Sequence, residues 1–488
     1  MTIRSPFGEV KLDVNAGADA SPAVLDPETP FRILLLGDFS GGAERTAQSS
    51  IAWKPRVIDR DNFEEVLARV GPTFSGMRFR ELDDFHPDRI YQGNELFEQL
   101  REVRRKLDVP ATFAEAAAEI RSWSKAQTPP VATARAVQAA EPERPPLPEL
   151  APGASLLDSI VEAEEPRAPA AVIRRGELRS FVERVVAPYR VAAEDPELPR
   201  LRELADVEAS VRMQTILHHP AFQALESAWR AVFHLVRATE TGSQLQIYLV
   251  DVSKAELAAD LSAADDLRKS RAWRMLVEET GGDGWSVVAG NYSFAQTVND
   301  AEMLGRLARI VSYAGAPFLG EADPANEGTD AEEGKRHWER LRQLPEASWI
   351  GLAMPRLLLR LPYGKKTDGV ESFDFEEMPG VPAHQEYLWG NPAFACVQVL
   401  AERFANDGWE MRPGAGAEIE GLPLHVYEAE GEQQVKPCAE VLLTEREIDW
   451  ILDRGYMALA SIRDRDAARL VRFQSIAKPL ARLSGRWG

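Results

Sequence analysis

Between Pro129 and Pro169 the chain changes character, and that stretch limits what the rest can fold into. It is dominated by Pro, Ala and Glu, as in Gln127-Thr-Pro-Pro130, Glu141-Pro-Glu-Arg-Pro-Pro-Leu-Pro148 and Arg167-Ala-Pro169. Proline lacks an amide donor and fixes φ, which favours extended, solvated chain over packed structure. The alternative, a surface loop within one domain, is uncommon at that length. The composition therefore predicts a linker, taken as 129–180, between an N-terminal module over 1–128 and a larger C-terminal module over 181–488. A chain of 488 residues has room for such a division.

Charge and cysteine usage narrow the function. With 57 basic and 77 acidic side chains the net charge is −20. That balance opposes nucleic-acid binding, where basic patches supply most of the affinity, and docking on an anionic membrane. Two cysteines, Cys396 and Cys438, are too few for a disulfide framework or a Cys-rich zinc site. The first residues hold no apolar core of signal-peptide length, and no run approaches the ~20 apolar residues of a membrane span. The expected location is cytoplasmic.

The periodicities predict an α/β protein with mixed sheets and covering helices. Val10-Lys-Leu-Asp-Val14 alternates as a half-buried strand. Phe31-Arg-Ile-Leu-Leu-Leu36 is an apolar run, broken only by Arg32, ending in Gly37-Asp-Phe-Ser-Gly-Gly42, a buried strand feeding a tight turn. Asp61 and Glu64 have capping-box spacing at the start of a helix striped by Phe63, Val66, Leu67 and Val70. In the C-terminal part, Ala221 to Val236 is helical in period, with Pro220 in its first turn. Leu245–Val250, Trp285–Ala289 and Ile350–Met354 read as strands.

Catalytic patterns fail their tests. After Gly37 and Gly42, Ala43 and Glu44 stand where a phosphate-binding loop needs Lys and Ser/Thr. Gly364-Lys-Lys-Thr367 lacks the preceding glycine. There is no G-x-S-x-G, H-E-x-x-H or C-x-x-C. His218-His219 reads as a surface or capping pair, His86 and His384 show no obvious partner, and Asp83-Asp84 reads as helix capping. No catalytic, cofactor-binding or metal site is expected; a phosphoesterase using the Gly37–Gly42 turn is the enzymatic alternative.

The linker itself carries a short amphipathic helix at 155–163. Ser155 and Asp158 have capping-box form, and Leu156, Leu157, Ile160 and Val161 share one face. So short a helix is marginal alone, and its apolar face gains only when a groove covers it. Permanent docking on its own chain is the alternative.

Several segments together resemble the contractile sheath proteins of bacterial type VI secretion systems. Phe31–Gly41, Arg56–Leu67 and Met77–Asp88 resemble the small sheath subunit (TssB/VipA). Ile216–Arg230, Gly290–Phe294, Ala316–Phe318, Leu352–Gly364, Leu388–Asn391, Gly408-Trp409 and Phe473–Pro479 are similar to the large subunit (TssC/VipB). The resemblance implies two sheath subunits fused in one chain. It implies a structural subunit, not an enzyme, of a sheath that surrounds an inner tube of hexameric rings and contracts to deliver effectors.

The implied partners are other sheath copies, the inner-tube hexamer protein, the baseplate and a ClpV-type AAA+ unfoldase. That unfoldase would take the helix bearing Leu156, Leu157, Ile160 and Val161. Family protomers lend strands to a neighbour's sheet, which makes Val10, Leu12 and Val14 the candidate exchanged strand; an ordinary edge strand is the alternative. Large subunits of this kind continue beyond the segment matching Phe473–Pro479, so the C-terminal module is expected to lack the usual extension. A non-propagating sheath-like adaptor at the baseplate or sheath end is the second functional reading.

Overall fold

The computed structural model describes residues 7, 26, 28–42, 53–126, 195–325 and 331–487. The expected strand over Val10–Val14, the linker over 129–180 and its helix at 155–163 lie outside the described residues.

The run Phe31–Gly37 forms strand β1, and every residue of it is buried. A strand apolar on both faces must lie inside a sheet covered on both sides. The partners are distant in sequence. β1 pairs in parallel with β3 (Leu245–Asp251), in register from Phe31 opposite Leu245 to Gly37 opposite Asp251. On its other side it pairs in parallel with β4 (Val287–Phe294), Ile33 opposite Val287. The sheet continues in parallel through β5 (Phe318–Ala322), β6 (Ile350–Met354) and β8 (Met457–Ser461). Antiparallel strands close both ends: β2 (Arg56–Ile58) beside β3, and β9 (Ala467–Arg472) with β7 (Ala415–Glu420) beyond β8. The nine strands run in the order β7-β9-β8-β6-β5-β4-β1-β3-β2.

Four helices fix the surroundings of the strand ends: α1 (Phe63–Val70), α2 (Pro220–Ala238), α3 (Val298–Ala314) and α4 (Pro392–Asp407). α4 packs on β4, β5 and β6 and against α2. α2 starts with proline at its first turn, and the His219 side chain accepts from the Ala221 amide, so the pair His218-His219 includes a cap. Its buried face presents Phe222, Leu225, Trp229 and Val232. Trp229 meets Phe39 and Phe63 edge-on, tying α2 to the β1 turn and to α1.

The expected capping box at α1 is replaced by another arrangement. The helix begins after Asn62, whose side chain makes no cap bond. Asn62 bonds back to Asp59, and Glu64 reaches across to accept from the Leu82 amide. Asp84 accepts from the Arg80 and Glu81 amides around a short 3₁₀ turn, Leu82–Phe85, and His86 caps the helix that follows.

Packing divides the chain differently from composition. One unit comprises Met1–Leu100 with Asp206–Gly488, the other Arg101–Ala205. The boundaries at 128 and 181 follow where proline accumulates, whereas the hydrogen bonds of β1 go to β3 and β4, far along the chain. The second unit has a small core of its own, with Val103, Leu107, Ala116, Ala117, Ile120, Leu198, Leu201 and Ala205. Its ion pairs, Arg121–Glu197 and Arg202–Asp108, are exposed and contribute little. Among the described residues, no helix is long and apolar enough to cross a membrane.

Candidate functional site

The glycine-rich turn after β1 spends its amides internally. Asp38 Oδ1 accepts from Gly41 and Gly42, and Asp251 Oδ1 accepts from Phe39 and Ser40. Trp229 Nε1 donates to the Phe39 carbonyl at 2.8 Å. A phosphate would need those same amides and would meet two carboxylates instead. Gly41 is required there: its φ is +79°, and a Cβ would collide with the Thr73 carbonyl oxygen. The second phosphate-like segment is equally committed. Lys365 pairs with Asp374 at the surface, and the space beside Gly364 is filled by Glu376.

A cleft of about 420 Å³ opens at the carboxyl ends of β4, β5 and β6. In open α/β sheets the crevice outside these strand ends is where ligands bind. One wall is α2, through Pro220, Gln223 and Ser227; the floor carries Asn291, Ser293 and Glu321; Arg356 and the segment His384–Trp389 close the far side. Local bonds hold these parts. Asn391 caps α4 through Ala393 and donates Nδ2 to the Tyr292 carbonyl. Gln223 Nε2 donates to the Gln385 carbonyl at 3.2 Å. Trp389 Nε1 donates to the His384 carbonyl, and its ring stacks on the imidazole at 5.3 Å.

The cleft's charges are unequally partnered. Arg356 Nε and Nη2 both donate to Glu440, which also contacts His384 Nε2 at 3.0 Å. Burial alone would push the Glu440 carboxyl up; the Arg356 bonds and then His384 outweigh it and hold it at about 2. Lys436 lies 3.2 Å from His384 Nδ1 and over the Tyr387 and Trp389 rings, and burial lowers its pKa. Burial pushes Glu321 up to about 7, and the nearby Arg356 charge and Ser293 hydroxyl only partly offset it.

A second polar group lies deeper. Arg360 reaches Glu226 and Glu377 at 2.7 Å each, and both carboxylates are fully buried. Arg230 joins Glu226 to the Tyr363 hydroxyl, and the Tyr363 amide donates to Glu377. These bonds fasten the segment after β6 to α2. With the cations satisfying both carboxylates, the group serves as a structural clamp.

Of the residues singled out beforehand, Val10, Leu12, Val14, Leu156, Leu157, Ile160 and Val161 lie outside the described residues. Both histidines thought to lack partners have them: His86 accepts from the Asp88 amide, and His384 bonds Glu440. The reading of single motifs missed Glu321, Arg356, His384 and Glu440, which are scattered from 321 to 440 and share no spacing. A signal did exist. Ile216–Arg230, Gly290–Phe294, Leu352–Gly364 and Leu388–Asn391, four of the segments that carried the large-subunit resemblance, converge on the walls of this cleft.

Comparison with known proteins follows the same segments. The model of the VipB family, described as EvpB/VC_A0108, tail sheath N-terminal domain, matches residues 202–334 and 327–477, more than half of the chain. The type VI secretion system sheath protein TssC1 of Pseudomonas aeruginosa is 33% identical over 299 residues, covering 56% of this chain and 60% of that protein. The chain thus spans less than two thirds of that relative's length. The matched region contains β3 to β9, α2 to α4 and every residue of the cleft. By fold and by match, the chain belongs to the VipB tail sheath family, as a TssC-like sheath protein.

Proposed function

We propose that this chain is a structural subunit of a type VI secretion contractile sheath, in which a small-subunit-like part is fused to a large-subunit-like part. It would surround an inner tube of hexameric rings and drive effector delivery by contracting in the cytoplasm, with no catalytic step of its own. One observation carries the reading. β1, from the small-subunit-like segment, is hydrogen-bonded on both sides by strands of the segment that matches the sheath family. A fused chain supplies both parts of one sheet at fixed stoichiometry. The short β2 and the six-residue β7 are the edge strands, and sheet edges are natural templates for a strand from a neighbour. The lent strand would hold Val10, Leu12 and Val14, and the partners would be further sheath copies, the tube protein and the baseplate.

Sedimentation velocity tests this. Rapidly sedimenting assemblies, formed alone or with a partner sheath protein, are the expected result. A persistent 54.2 kDa species in both mixtures contradicts it and favours a non-propagating adaptor.

Recycling by a ClpV-type unfoldase belongs to the same proposal, through Leu156, Leu157, Ile160 and Val161. Replacing Leu157 and Ile160 together by Asp should abolish unfoldase binding in a pull-down and leave the melting temperature unchanged. Each removed contact is worth roughly 1.5–3 kcal/mol in a groove, enough together to remove a micromolar affinity. Undiminished binding by the double variant would exclude this helix as the recognised segment.

A further inference from the structure

Among the described residues lining the cleft beside β4–β6, one carboxyl is hydrogen-bonded by a hydroxyl, that of Ser293, but held by no salt bridge. Glu440 is held by Arg356 and His384, and Glu226 and Glu377 by Arg360. Glu321 has no salt bridge among the described residues, although it stands on the cleft floor. Arg356, the cation whose charge acts on Glu321, directs two donors at Glu440 instead. An anion entering here would meet the Glu321 carboxyl on the cleft lining. A neutral guest would desolvate Glu321 and return no charge.

The walls suit a cation on an apolar stem. Tyr387 and Trp389 line the cleft, and the Lys436 ammonium already lies 5.5 and 5.2 Å from their ring centres. Aromatic faces of this kind attract cations. Ala224 and Pro220 on α2 offer apolar surface opposite, and Asn291 and Ser293 set polar atoms beside the carboxyl. From this geometry we propose that the cleft is a binding site for a guanidinium or primary ammonium group on an apolar stem, with Glu321 as its counter-ion. The group could arrive on a basic side chain of a protein or as a free small amine; the chemistry at Glu321 is the same.

Titration gives the site a signature. Glu321 faces Arg356, Glu440 and Asp323, with His384 and Lys436 around the rim. Burial holds its carboxyl at about 7, and Arg356 and Ser293 pull it down less than burial raises it. A bound cation favours the ionised form, so binding releases protons near neutrality. Affinity should rise from about pH 6 to about pH 8 and then level off.

The test is calorimetry on the dispersed full chain, which requires no assembly. The probes are agmatine, the capped peptide acetyl-Gly-Arg-Gly-amide, and its neutral citrulline counterpart. Saturable one-to-one binding of an arginine-type probe is expected, with proton release at about pH 7 and no binding of the citrulline peptide. Glu321→Gln should weaken it about tenfold or more, and Ser227→Trp, which fills the cleft and leaves Glu321 in place, should abolish it. Binding of the peptide at least as tightly as agmatine identifies a protein side chain as the natural guest; binding of agmatine alone identifies a free amine. Failure of wild type to bind either probe at millimolar concentration overturns the proposal. So does undiminished binding by Glu321→Gln, or, if that variant melts early, by Ser227→Trp.

Discussion

Arg360→Met should destabilise the chain by about 3–5 kcal/mol, because it removes the one cation that bonds both of two fully buried carboxylates. Arg230 remains, but it contacts Glu226 only, from the side of Tyr363. Adding Glu226→Gln and Glu377→Gln to the variant should recover part of the loss, since a neutral polar group costs less to bury than a charge. Urea denaturation of the three proteins measures both steps.

The same clamp sets the acid limb of stability. Burial would raise the Glu377 carboxyl, but Arg360, the His218 contact and the Tyr363 amide hold it at about 2, below its ordinary 4.5. A carboxyl depressed on folding stabilises the native state fully above its unfolded pKa. That stabilisation disappears as pH falls from 4.5 toward 2. Glu440 follows the same course. Glu321 runs the other way: its raised pKa stabilises the fold below 4.5, and that contribution is lost by about 7. Melting temperature should therefore fall steeply in acid for wild type and less steeply once Arg360 is replaced. Parallel acid limbs would show that Glu377 is not held by Arg360.

The second large effect concerns β1. A chain beginning at Trp53 lacks this strand and leaves β3 and β4 with a gap in the middle of the parallel sheet. Phe31, Ile33, Leu34, Leu35 and Leu36 are fully buried, and burial of each such side chain contributes roughly 1.5–3 kcal/mol. Their sum is comparable with the whole stability of a domain, about 5–15 kcal/mol. The truncated chain should accumulate as insoluble protein, and co-expression of residues 1–52 should restore solubility. A soluble truncated chain with a wild-type circular dichroism spectrum would show that β1 is dispensable to the sheet.

How much of this could be read in advance depends on the range of the interaction. Phe31–Leu36 announces a buried strand because apolar residues dominate it, interrupted only by Arg32, and the strand runs Phe31–Gly37. Ile350–Met354 appears at the bounds its composition suggests, and Leu245–Val250 extends by one residue to Asp251. Trp285–Ala289 is displaced to Val287–Phe294, because the segment Gly290–Phe294, polar in part, still pairs with β5 through a register shift.

Partner choice was not legible. Nothing local in the β1 sequence says that its neighbours begin at Leu245 and Val287, so a linker rich in proline suggested two separate cores. The cleft fell between these cases. Glu321, Arg356, His384 and Glu440 come from four places with no common spacing, and only the fold unites them. Asp61 misled for a local reason: Asn62 and Asp59 close their own turn, and Glu64 is taken by Leu82.

The central claim is that this chain works by joining copies of itself or of companion sheath proteins into a tube. Negative-stain electron microscopy of the purified chain, alone and mixed with a partner sheath protein, tests it most directly. Hollow tubes or stacked rings with a lumen wide enough for an inner tube are the predicted images. Fields of separate single particles under every mixing condition would contradict the account.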